Sequence, residues 1–173
     1  MKKFLMFVSV LAVAGAASTA SAMDRSGKIG LGIQESFTTG FSTNSFGDWS
    51  LKYGVASNMT GQFLVGFDYG NKAINDAINF GARFLYDVVE KENSDFYLGL
   101  GIGWNNDKSA GARILRFQVP LGYEFSFSGL PEVGFSVEAG VVYDYAKDAK
   151  ASRFASVGGN VGGNLGLGVH YYF

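Results

Sequence analysis

The chain closes on a stretch, Val161 to Phe173, that reads VGGNLGLGVHYYF. Val161, Leu165, Leu167, Val169, Tyr171 and Phe173 share one parity. Asn160, Gly162, Asn164, Gly166, Gly168, His170 and Tyr172, mostly small or polar, share the other. Successive side chains of a strand point to opposite faces, so this alternation describes a strand with one apolar and one polar face. Tilted, a strand of about a dozen residues is long enough to cross a bilayer.

The same pattern recurs upstream. Ser26–Thr38 places Ile29, Leu31, Ile33 and Phe37 against Lys28, Gly30, Gly32, Gln34 and Ser36; Glu35 interrupts the apolar face and is expected near a membrane edge, where a carboxylate costs less. Asp48–Ser57 sets Trp49, Leu51, Tyr53 and Val55 against Ser50, Lys52 and Gly54. Further segments run over Gln62–Gly70, Ala77–Val89, Asp95–Trp104, Arg113–Phe127 and Glu132–Tyr145, with the tail as the eighth. In the sixth, Pro120 cannot donate a ladder hydrogen bond, which predicts a bulge or local break. Three connectors, Ser57–Gly61, Glu90–Ser94 and Ser128–Pro131, are tight and turn-like. The other four, Thr39–Gly47, Asn71–Asp76, Asn105–Ala112 and Ala146–Gly159, are on average longer and rich in Gly, Ser, Asn and charge. An even strand number with short turns on one rim and longer loops on the other predicts an all-β fold, an eight-stranded antiparallel up-and-down transmembrane β-barrel.

Composition agrees. Aromatic residues make up 16% and glycines number 25, against 2 prolines, a balance suited to a barrel rather than to a helical or disordered chain. At the amino terminus, Lys2 and Lys3 precede an apolar run from Phe4 to about Ala17 and an Ala20-Ser21-Ala22 ending. That is the build of a cleaved secretory leader over residues 1–22, leaving 23–173 as one domain. The remainder is mildly acidic and offers no basic face, so no nucleic-acid partner is expected. The absence of cysteine excludes a lipid-modified amino terminus, a disulfide framework and thiolate chemistry.

Alternation by itself also fits a soluble barrel or sandwich with its apolar face inward. Three features favour the membrane. The non-apolar faces are dominated by Gly with isolated charges, the terminal Phe173 is in register with the apolar face, and the aromatics gather at strand ends. Trp49, Tyr69, Trp104, Tyr143 and Tyr145 fall toward the long-loop rim; Phe63, Tyr86, Phe96, Phe125, Phe135 and Tyr171 fall toward the short-turn rim. Two such girdles match two bilayer interfaces.

With the tail's Tyr-x-Phe ending, the chain resembles the small eight-stranded outer-membrane barrels of the OmpA/OmpX type. The resemblance implies a bacterial outer-membrane location, contact with outer-membrane lipid and lipopolysaccharide, and a monomer. It also implies that Leu167, Val169, Tyr171 and Phe173 form the signal read by the barrel-assembly machinery.

An eight-stranded barrel is about wide enough to be filled by its own side chains. The inward parity carries Lys52, Asp68, Arg83, Asp87, Arg116, Glu124, Glu138 and Asp144. Unpaired buried charges are costly, so these are expected to pair. Hairpin register places Arg116 opposite Asp144 and suggests Lys52 diagonal to Asp68. Arg83 and Glu138 belong near the waist, with Glu124 lower. Members of the resembled family carry similar interior ion-pair networks, in some cases proposed as gates.

Enzymatic sites are not apparent. Lipid-modifying barrels use a His with a Ser and an acid near the outer rim. The single histidine, His170, lies toward the opposite end, and Ser36, Ser126 and Ser136 have no His at their depth. One His with scattered acids makes no metal site, and the Gly-x-Gly strings lie within strands rather than at helix starts. No cofactor is expected. The expectation is therefore a structural or surface-interaction barrel, with a narrow pore for ions or small solutes as the alternative and a lipid-modifying enzyme as a third, more remote option.

Overall fold

The computed structural model describes residues 24–35, 48–68, 77–107, 112–147, 153–158 and 166–173. The leader, residues 1–22, and Tyr69 lie outside the described residues, as does most of each long connector. Every regular element among the described residues is a strand: β1 (Ile29–Gln34), β2 (Asp48–Ala56), β3 (Met59–Asp68), β4 (Ala77–Lys91), β5 (Ser94–Asp107), β6 (Ala112–Phe127), β7 (Leu130–Lys147), β8 (Arg153–Gly158) and β9 (Gly166–Tyr172).

Each strand pairs antiparallel with the next from β1 to β7, and β9 returns to pair with both β7 and β1. The sheet therefore closes on itself. Closure through β9 removes the edges of β1 and of the lower half of β7, so their ladder groups find partners within the wall.

Nine strands make an eight-stranded barrel because the eighth position is shared. β8 pairs with the upper half of β7, from Gly140↔Gly158 to Tyr145↔Arg153; β9 takes the lower half, from Val133↔Tyr171 to Glu138↔Gly166. The sequence reading placed residues 153–158 in a loop, and the structure corrects it. β8 covers the edge of upper β7 that faces away from β6, where β9 does not reach. Of the tail, the strand begins at Gly166; Val161 and Leu165 lie outside the described residues.

The tight connectors are shorter than expected. Ser57-Asn58, Glu92-Asn93 and Ser128-Gly129 are two-residue turns, and Pro131 already belongs to β7. Register shifts sit beside all three, between Gly54 and Ala56, Asp87 and Val89, and Phe125 and Phe127. Bulges there add twist where the hairpins turn. Pro120 makes no bulge. Its register with β7 is continuous, and only the β5 side omits the pairs from Gly99 and Leu100.

Parity decides what faces where. Leu100 and Phe67 are each 67% exposed on the outside, whereas Lys52, Glu124 and Glu138 are each 1% exposed inside. Strand β2 alternates buried and exposed from Asp48 to Val55, and β9 does so throughout. Most large apolar side chains face out and most polar ones face in, with Leu64, Leu85, Ile114 and Val142 as apolar members of the inner face. The outer belt carries its own ring contacts, Phe80 stacked on Trp104 and Phe125 on Phe135. Trp49, Trp104, Tyr143 and Tyr145 line the long-loop half, as expected; Phe63 instead sits mid-strand, opposite Leu51 and Ala82.

Candidate functional site

The lumen is where the polar parities of all strands converge, and its charges meet in three clusters. Arg116 on β6 and Asp144 on β7 are direct cross-strand partners. They form a two-pronged pair, with Nε on Oδ1 at 2.5 Å and the terminal nitrogen Nη2 on Oδ2 at 2.5 Å. The planar guanidinium matches the carboxylate with two parallel hydrogen bonds.

The second cluster spans the barrel. Arg83 on β4 donates to Glu138 on β7 at 2.7 Å, and the Tyr97 hydroxyl donates to the other Glu138 oxygen at 2.6 Å. Tyr97 needs room, and Gly122 directly opposite supplies it: a Cβ there would run into the Tyr97 ring. Gly101 plays the same part between Arg83 and Gln118. These inward glycines, which first suggest space for water, are the room that large side chains occupy.

The third cluster closes the short-turn end. Lys52 Nζ on β2 donates to Glu124 Oε2 on β6 at 2.5 Å, and the Tyr172 hydroxyl on β9 donates to Oε1 at 2.6 Å. Arg25, from the segment before β1, pairs with that same Oε1. Its terminal nitrogen donates to the Tyr172 hydroxyl at 3.0 Å, and its guanidinium carbon lies 4.2 Å from the centre of the Tyr172 ring. Burial works against the charged form of Arg25. Glu124, backed by Tyr172, Asp95 and Asp87, outweighs that and raises its pKa.

The expected charges thus converge, with one regrouping. The backbone register does not set Lys52 diagonal to Asp68. The Ser57-Asn58 turn pairs Lys52 with Gln62, while Asp68 lies farther up opposite Ala77; the Asp68 side chain is outside the described residues. Arg25 was not foreseen at all, because it precedes the first alternating pair. Its only trace in the sequence is a glycine on each side of the contact, Gly27 and Gly54.

His170 is fully buried, with Nε2 against Ser50 Oγ at 2.7 Å, and Gln62 also donates to that hydroxyl at 2.8 Å. The alternation puts Ser50 on the inward parity, but spacing along the strand does not assign it to His170. His170 Nδ1 has no hydrogen-bond partner among the described residues, so no carboxylate orients the ring as a Ser–His catalytic pair requires. Among the described residues no group of three His, Cys, Asp or Glu is placed to hold a metal.

On the outer face, the seam between β1 and β9 carries an apolar groove of about 660 Å³ lined by Leu31, Ile33, Val133, Leu167, Val169 and Tyr171, with Glu35 at its lip. The residues expected to form the assembly signal, Leu167, Val169, Tyr171 and Phe173, are all outward and exposed. Comparison of the chain with family models, with curated proteins and with solved structures finds no match.

Proposed function

We propose that this chain is an outer-membrane β-barrel whose role is structural, supporting the envelope and presenting external loops for surface interaction, with a lumen filled by ion pairs. The observation that carries the reading is the parity: large apolar side chains exposed around the outside of the wall and a lumen of buried charges. Water would not hold that arrangement, whereas hydrocarbon favours it. Lipid and lipopolysaccharide are then the surroundings of the belt, and the barrel-assembly machinery is the partner during biogenesis. The membrane part is tested by Leu100→Lys in lipid vesicles. A belt at mid-bilayer loses about 2–4 kcal/mol of stability; an unchanged midpoint would refute it.

A narrow pore is the second reading. Buried amide atoms of Gln62, Asn79, Asn105 and Gln118 have no hydrogen-bond partner among the described residues, which supports a polar route that Lys52, Arg83, Arg116, Glu124 and Glu138 would line. Planar-bilayer recording of the folded, inserted protein separates the two. Silence supports the filled barrel; discrete openings altered by Glu138→Ala support the pore.

A further inference from the structure

The residues just before β1 are held inside the barrel mouth by more than their strand. Lys28 donates its amide to the Arg25 carbonyl at 2.9 Å, closing a tight turn with Gly27 at φ +74°, a conformation that favours glycine. Gly27 donates to the Gly54 carbonyl at 2.8 Å, and Gly54 donates back to Lys28 at 3.0 Å. The turn lies directly over the inner side of Gly54: a Cβ at that position would collide with the Arg25 carbonyl. Backbone and glycines together aim the Arg25 side chain into the lumen.

What it meets there is a receptor assembled from several strands. Asp95 on β5 is the direct cross-strand partner of Glu90 on β4 and of Glu124 on β6, a row of carboxylates across neighbouring strands. Like charges facing each other repel, and Asp95 is 4% exposed with Oδ1 lacking any hydrogen-bond partner among the described residues. Lys52 engages only the far oxygen of Glu124. Glu124, Asp95 and Asp87 are the acidic groups that act on Arg25, whose flat cation is bonded at its edge by Glu124 and the Tyr172 hydroxyl while the Tyr172 ring lies against it. A carboxylate at the edge and an aromatic face suit a guanidinium better than an ammonium.

We propose that the short-turn mouth is a guanidinium-binding site that the chain fills with its own Arg25, so that the segment before β1 is a tethered plug. The ligand class is a planar cation of the guanidinium type, and a free one binds only where Arg25 has left.

Methylguanidinium is the probe, added to protein extracted from membranes in mild detergent, with folding checked by heat-dependent gel migration. Arg25→Ala is expected to bind it saturably at millimolar concentration, raising the thermal midpoint, while wild type and Arg25→Lys do not respond. Methylammonium should bind Arg25→Ala at least about tenfold more weakly. Gly54→Ala keeps every receptor group and displaces the plug by its backbone, so it too should gain the response. Because the chain has no cysteine, a spin label on Ser26→Cys reports the plug separately. It should be immobile with Arg25 present and mobile with Arg25→Ala. No response in folded Arg25→Ala, equal binding of the two cations, or a label indifferent to Arg25 would each overturn the proposal. None of these outcomes depends on whether the lumen conducts.

Discussion

Two of the buried pairs look alike on paper and are built differently. Arg116 and Asp144 are neighbours on adjacent strands, brought together by one hairpin. Lys52 and Glu124 come from β2 and β6 and meet only across a closed lumen. The first pair needs nothing but the Ser128-Gly129 turn and a count of residues. The second needs strand tilt and closure, and it shares its carboxylate with Tyr172 and Arg25. A local pair is a property of a hairpin; a pair across the lumen is a property of the barrel.

That difference can be broken deliberately, with urea unfolding followed through Trp49 and Trp104. Glu124→Leu should cost the most, about 3–5 kcal/mol, because it leaves Lys52 and Arg25 both buried without their shared carboxylate. Glu138→Leu should cost about 3 kcal/mol by removing the carboxylate that Arg83 donates to, and the double change Arg83→Met with Glu138→Leu should recover most of it, since an apolar pair can replace a buried ion pair. If the double variant is no better than the single, the Arg83–Glu138 contact is not what holds the waist.

Asp144→Asn should cost less, about 1–3 kcal/mol, because the amide still accepts one hydrogen bond from Arg116. Exchanging the two residues, Arg116→Asp with Asp144→Arg, should restore near-native stability, as facing neighbours can trade places. The corresponding exchange of Lys52 and Glu124 should not, because Tyr172 would lose its acceptor and Arg25 would face a like charge. Equal recovery in both exchanges would erase the distinction. Gly122→Ala, which presses on the Tyr97 ring, should cost about 1–3 kcal/mol through overpacking. Its effect should reach the Glu138 cluster and leave Arg116–Asp144 intact, visible as a coupling with Glu138→Leu but not with Asp144→Asn.

Legibility follows the same line. Arg116–Asp144 could be read from the chain because hairpin register is arithmetic once the turn is located. Lys52 was sent toward Asp68 by the same arithmetic, and that failed, because the Ser57-Asn58 turn is shorter than the connector inferred for it and sets Lys52 against Gln62. Arg83 and Glu138 could be placed near the waist but not assigned to each other, since spacing along strands does not report who faces whom across a tilted barrel. Arg25 had no pattern to announce it, and alternation gave Ser50 its face but not its partner. The Arg25 contact depends on a turn over Gly54, and the Ser50–His170 contact on the β1–β9 seam that joins the ends of the chain.

The amino-acid sequence alone determined the strand class, the antiparallel hairpin order and the two parities, because period-two alternation allows a side chain only two directions and composition sorts them. Tertiary structure decided which inward charges touch, that two short strands share the eighth position, and that the segment before β1 enters the mouth. Those outcomes depend on closure, which fixes tilt and stagger for every strand at once, and no local stretch of sequence carries that constraint.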